Sequence, residues 1–362
     1  MTPSACSRPV GTLPKAHLHL HFTGSMRPAS LKDLAAKHRI RLPETLREQH
    51  LLHLTPDERG WFRFQRLYDA ARACVRDEED MRRIVLEAAE DDAAEGSRWL
   101  ELQIDPTSYA PFVGGLTPAL EIVLDAAREA TRTTSCAVAV VVAASRIRHP
   151  LDARTLARLA ARYAGDGPGQ VVGFGLSNDE RKGSTYEFAP AFRIAARAGL
   201  AGLPHSGELL GADHVRATLD LLAPRRIGHG VRAAEDPDVL AQVVDSGVAL
   251  EVCPASNAAL GVFPTTAGVP LRRLTEAGAV IALGADDPLL FGPRLAAQYE
   301  IARVEHGMGD RDLARLARGS VEASCAPAEV RRRILADVDA WLTTEAPAEA
   351  GGPADAVARH RR

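Results

Sequence analysis

Eight short apolar runs recur along the chain, at 17–22, 99–104, 136–142, 171–176, 202–205, 226–229, 249–252 and 280–283. Each is rich in leucine or β-branched residues, and most are closed by Gly, Pro, Asn or Asp, so each reads as a short strand. Longer stretches between them read as helices, at 80–95, 118–131, 152–164, 189–198 and 236–246. Strands alternating with helices predict a parallel sheet under helical cover, and about eight such units predict the α/β class in the form of a (β/α)8 TIM barrel. An open doubly wound sheet is the alternative, but no G-x-G-x-x-G follows the first strand, which counts against its dinucleotide-binding version. Residues 26–75 break the rhythm. Helical patterns near 31–39 and 62–75 predict an insertion after the first strand, placed to cap the barrel mouth. Residues 1–344 are expected to form one barrel domain. Residues 345–362, rich in Ala, Pro and Gly, are expected to be a disordered tail.

The first strand has an unusual pattern: His17, His19 and His21 alternate with Leu18, Leu20 and Phe22. Alternation along a strand sends the three histidines to one face and the apolar residues to the other, against the covering helices. Gly24 then marks the turn. Imidazoles on a buried face are costly unless something holds them, and a divalent metal is a common holder. A polar or partly exposed strand face would carry the same pattern.

Composition narrows the partners. The chain has 362 residues, a net charge of -3 and only 5% aromatic residues, so it lacks the basic footprint and stacking platform of a nucleic-acid binder. Five widely spaced cysteines without a C-x-x-C pair read as reduced thiols. No apolar run is long enough to span a membrane, and the first residues lack a signal-peptide pattern, so a cytoplasmic location is expected. The sequence does not give the oligomeric state.

In a barrel the chemistry sits where strands end. Here the first strand ends with His19 and His21, the fifth with His205-Ser-Gly-Glu208, the sixth with His229 and the eighth with Asp286-Asp287-Pro288. Singly, each has a plain structural explanation. The Asp pair could cap a helix, and His229 could mark a bend between glycines. Together they supply three histidines and a carboxylate for one metal with an open position, an acid in Glu208, and a polar neighbour in His229. A divalent metal brings the pKa of its water to about 7, so such a set suits hydrolysis at neutral pH.

Five blocks then resemble a known family: Lys15-Ala-His-Leu-His19-Leu-His21, His205-Ser-Gly-Glu208, Arg226-Ile-Gly-His229-Gly230, Glu251-Val-Cys-Pro254-Ala-Ser-Asn257 and Asp286-Asp287-Pro288-Leu-Leu-Phe291. In order and content they are similar to the adenosine deaminase family of the amidohydrolase superfamily. The resemblance implies a barrel of the metal-dependent hydrolase type. It implies one zinc (Zn2+) per chain on His19, His21, His205 and Asp286, and a small-molecule purine nucleoside as substrate. It also implies that Glu208 protonates N1 while a water-derived nucleophile attacks C6, with His229 and Asp287 orienting and activating the water. Asp287 is expected to accept a hydrogen bond at N7, and His21 to touch the substrate as well. The product would be a 6-oxopurine nucleoside and ammonia.

The sugar side departs from the pattern. Where the family has an acidic residue near the ribose 5′ position, this chain has Thr23. Asn178 stands near the purine N3 position, and Gln103 replaces a family arginine. Loss of a negative charge at Thr23 favours a substrate with an anionic 5′ extension, such as aminodeoxyfutalosine of menaquinone biosynthesis. Plain adenosine is the alternative. A two-metal barrel hydrolase is less well matched, because the fourth strand has no lysine to bridge the metals. A non-catalytic binding protein would not need Glu208 and the full ligand set.

Overall fold

The computed structural model describes residues 7–343, so the expected tail at 345–362 lies outside the described residues. Eight parallel strands follow one another around a single sheet: β1 (Lys15–His21), β2 (Ser97–Ile104), β3 (Ala137–Ser145), β4 (Val171–Ser177), β5 (Ala201–Ser206), β6 (Arg226–His229), β7 (Ala249–Val252) and β8 (Ile281–Leu283). All eight coincide with the apolar runs, and helices lie between them as the TIM-barrel reading requires. The sheet closes on itself just beyond β8. The His21 N–H donates to the Asp286 carbonyl at 3.1 Å, and the Asp286 N–H donates to the His19 carbonyl at 3.0 Å.

The barrel interior is layered. Ala16, Leu18, Trp99, Ala139, Val141, Val172, Leu203 and Ala282 fill its lower part. Val321, Ala326 and Ile334, from the two C-terminal helices and the link between them, pack against that layer from outside. Above it the fill becomes ionic: Arg226 donates to Glu101 and to Glu251, each at 2.6 Å. The mouth lies above these charges.

Strict alternation fails in β1. Its register against β2 shifts between His17 and Leu20, an irregularity that re-phases a strand. Leu18 therefore packs inside the barrel and not against the helices. His17 is separated from the other two histidines. Its Nδ1 lies 3.0 Å from Asp92, and its Nε2 accepts the Ala285 N–H at 3.0 Å. It fills the β8–β1 seam, while His19 and His21 reach the mouth.

Between β1 and β2 run four helices, α1 (Pro28–Lys37), α2 (Glu44–Arg47), α3 (Glu58–Arg72) and α4 (Glu78–Ala94). Asp57 and Asp77 cap α3 and α4 through their side chains. Helix α3 lies over the mouth, where Phe64 stacks on Phe291 with ring centroids 5.5 Å apart. Its first turn is tied to the loop after β4 by Glu58 and Lys182, 3.0 Å apart. Among the described residues no helix is long and apolar enough to cross a membrane.

Candidate active site

The ends of β1, β5 and β6 and the loop after β8 converge on one cavity beneath α3. His21 Nε2 lies 3.2 Å from Asp286 Oδ1 and 3.2 Å from His205 Nε2, and His19 Nε2 lies 3.5 Å from Asp286 Oδ1. Ligand atoms on a tetrahedral zinc stand about 3.3 Å apart, as follows from zinc–ligand distances of about 2.0–2.1 Å. His19 Nε2 is buried and has no hydrogen-bond partner among the described residues. Burial works against a charged His19, yet the neighbouring carboxylates of Asp286 and Glu251 outweigh it and lift its pKa to about 10. The pocket therefore calls for positive charge at its centre, and the four side chains fit a divalent metal. His229 also comes within reach of this group, through His19 and His205.

A surrounding layer fixes each of these side chains. Glu251 accepts from His19 Nδ1 at 2.8 Å, which leaves the Nε2 lone pair for the cluster. Ser256 donates to Asp286 Oδ2 at 2.5 Å. The Asn257 amide lies 3.2 Å from His229 Nδ1, so His229 keeps its proton on Nε2 when the amide nitrogen donates. Arg146, itself buried, donates to the His205 carbonyl at 3.0 Å. Glu180 accepts the backbone N–H groups of Gly207, Glu208, Leu209 and Leu210 at 2.5–3.0 Å, and His214 closes on the same carboxylate. The sequence reading assigns none of these supporting roles. Charges within apolar strands, as at Glu101, Arg226 and Glu251, are the available signal.

Three of the six non-glycine residues with positive φ among those described line this cavity: Asn178 at 77°, His229 at 61° and Asp286 at 61°. Such backbone costs energy and persists where the surroundings over-determine it. At Asp286 it lets the backbone bond to β1 while the side chain turns to the histidines.

Glu208 is buried, with Oε1 3.5 Å from His229 Nε2. Burial, then the negative charges of Asp286 and Glu180, push its carboxyl well above the usual carboxylate range and so favour its protonated form. Burial lowers His229 to about 4 and keeps it neutral. Asp287 is likewise pushed up, first by burial and then by Asp286. The expectation that Asp287 accepts a hydrogen bond at N7 fails on the chemistry of the purine alone. N7 carries a lone pair and no hydrogen, so a protonated Asp287 would donate to it and not accept.

His21, Asn178, His205, Glu208, His229, Asp286 and Asp287 all line the cavity. Asn178 Oδ1 is taken by the Asp179 N–H at 2.7 Å, which leaves its NH2 group for a ligand. Thr23 does not line the cavity. It is buried, with its hydroxyl 2.5 Å from that of Tyr109, and it is Tyr109 that faces the space. The outer walls are Trp61, Phe64, Tyr68 and Ile147, with Arg72 and Arg148 beside them.

Comparisons with known proteins agree with this geometry. The profile of the adenosine deaminase family matches residues 14–341. A Streptomyces coelicolor protein, provisionally named an adenosine/adenine deaminase, is 62% identical over 340 residues, covering 92% of this chain and 98% of its own. A Rhizobium meliloti adenine deaminase is 36% identical over 324 residues, covering 90% and 98%. The crystal structure of an adenine deaminase from Arthrobacter aurescens superposes with a TM-score of 0.84 at 28% identity, covering 92% of this chain and all of that one. An amidohydrolase from Burkholderia ambifaria, solved with bound Zn, shares the fold at a TM-score of 0.81 and 22% identity, covering 92% of each chain. The chain belongs to the adenosine deaminase family, as a hydrolytic deaminase of the adenosine/adenine type.

Proposed function

We propose that this deaminase removes the 6-amino group of a purine nucleoside extended at its 5′ end by an anionic group, with aminodeoxyfutalosine as the candidate substrate. One zinc would be held by His19, His21, His205 and Asp286. It would supply a lowered pKa for water, about 7, and so a nucleophile at neutral pH. Glu208 would give its proton to N1, which draws electron density from C6. Asp287 would donate to N7 and hold the ring in place. His229, neutral and fixed by Asn257, would orient the attacking water at the face of C6. Loss of ammonia then leaves the 6-oxopurine.

The observation that carries the chemistry is the buried Glu208 carboxyl, 3.5 Å from His229 and beside the cluster of His19, His21, His205 and Asp286. The 5′ assignment is supported by the charges of the outer cavity. Thr23 is neutral and engaged with Tyr109, and Arg72 and Arg148 line the outer cavity with one carboxylate, Asp105, among them. Arg148 stands exposed at the rim with no carboxylate partner among the described residues. Adenine is the second reading, favoured by the names of the relatives at 33–36% identity. A cytoplasmic location is consistent with the four described cysteines, all free thiols.

The test is kcat/KM of zinc-loaded protein on aminodeoxyfutalosine, adenosine and adenine, read from the ultraviolet change on loss of the amine. A preference for aminodeoxyfutalosine that falls about tenfold relative to adenosine in Arg148→Gln is expected, in line with loss of one charge-assisted contact. A preference for adenosine or adenine would remove the 5′ assignment and leave the deamination.

A further inference from the structure

The inner face of β2 ends in an amide without a partner. Trp99, Glu101 and Gln103 follow one another up the barrel. Trp99 Nε1 donates to Glu101 at 2.9 Å, and Glu101 is paired with Arg226. Gln103 is only 1% exposed and lines the active-site cavity. Neither its Nε2 nor its Oε1 has a hydrogen-bond partner among the described residues. At the end of the next strand the Ser145 hydroxyl lines the same cavity, is buried, and is also unpartnered. Buried polar groups are costly when unpaired, and their persistence at a cavity wall points to a ligand that completes them.

Their place in the barrel says which part of a ligand. The histidine cluster, Glu208 and Asp287 come from β1, β5, β6 and the loop after β8. Gln103 and Ser145 come from β2 and β3, across the mouth. A purine with C6 at the histidines, N1 at Glu208 and N7 at Asp287 turns its N9 corner toward β2 and β3. An amide and a hydroxyl each offer a donor and an acceptor, and so does each hydroxyl of a sugar. We infer that Gln103 and Ser145 bind the hydroxyl groups of the sugar at N9, and thereby make this site select nucleosides over the free base. The inference rests on the 6-aminopurine reading of the site. It does not depend on the identity of the 5′ group.

The experiment is a cycle of enzyme variant against substrate. Wild type and Gln103→Leu are assayed on adenosine, 2′-deoxyadenosine, 3′-deoxyadenosine and adenine, after zinc content and melting temperature have been matched. Gln103→Leu is expected to lower the adenosine-to-adenine ratio of kcat/KM by about tenfold or more. It should also abolish the penalty that wild type shows for at least one missing hydroxyl. A role in packing alone would slow all four substrates alike and leave the penalty in place, which would overturn the assignment. An equal loss on adenosine and adenine would do the same, because it would put the amide on the N3/N9 edge of the base. Ser145→Ala is taken through the same cycle, so a poorly folded Gln103→Leu does not end the test. If wild type deaminates no nucleoside, the functional reading fails and this inference falls with it. If wild type deaminates nucleosides and both variants keep its ratios, the inference alone fails.

Discussion

Gly24 shows how single residues set this site. A Cβ there would lie 1.8 Å from Asp287 Oδ1 and 2.6 Å from its Cα, so the glycine is required by the close approach of Asp287. Its φ is not among the positive values, so turn geometry is not the reason. Gly24→Ala should displace Asp287 and cut kcat by roughly a hundredfold while one zinc per chain remains, since a shift of about 1 Å at a reacting group can cost that much. Unchanged turnover would mean that Asp287 does not position the base. Glu208→Gln should likewise keep the metal and lose most turnover, read by metal analysis beside kcat. His17 gives the opposite case. Seated between Asp92 and the Ala285 N–H, it belongs to the barrel seam and not to the cluster, so His17→Ala should lower the melting temperature and leave zinc stoichiometry at one. The alternation of three histidines is legible in the sequence, but the register shift that takes His17 out of the set is not. A shift of that kind depends on how β1 meets β2 and the β8 loop, and no local pattern encodes it.

At the scale of elements, the strands are legible because parallel strands buried on both faces read as apolar runs. The ionic layer under the site is harder to read, because its members lie far apart in sequence. Glu101 on β2, Arg226 on β6 and Glu251 on β7 form one buried chain that ends on His19. Burial would raise the Glu251 carboxyl, but Arg226 and His19 outweigh that and bring it to about 2. Arg226→Leu would leave the buried carboxylates of Glu101 and Glu251 without their shared cation, a loss of about 3–5 kcal/mol by denaturant unfolding. Zinc affinity should fall about 10–100-fold as His19 loses its orientation. Glu180 does comparable work for the loop after β5. Burial opposes its charge, but His214 and the N–H groups of the loop prevail and lower its pKa from 4.5 to about 2. Its stabilisation is therefore present above about pH 4.5 and lost as the pH falls toward 2, and it amounts to about 3 kcal/mol. Glu180→Gln should be less stable at pH 7, with a flatter decline between pH 5 and 2. Parallel curves for the two proteins would show that the loop does not depend on that charge.

At the scale of the molecule, closure of the barrel and assembly of the cluster are the same event. The two backbone hydrogen bonds of the β8–β1 seam run through His19, His21 and Asp286, and these three residues also bring their side chains to the centre. His205 joins them from β5, across the barrel. A cation shared by these side chains would tie three distant segments of the chain together, and it would bind the native state only, since the unfolded chain holds no such set. Ligand at about a thousand times its dissociation constant adds about 4 kcal/mol to stability. For a chain of 362 residues that corresponds to a rise of roughly 5 °C in melting temperature. Chelation should therefore lower the melting temperature by about that much, with recovery on adding zinc back. The change should be local as well. Hydrogen exchange at the His21 and Asp286 amides should speed up on chelation, while the amides of α3 above the mouth, held by Phe64 on Phe291 and by Glu58 with Lys182, should not respond. If the α3 amides respond and the seam does not, the metal orders the lid. If neither responds and the melting temperature holds, the seam closes without the metal, and the side chains that converge on it serve chemistry alone.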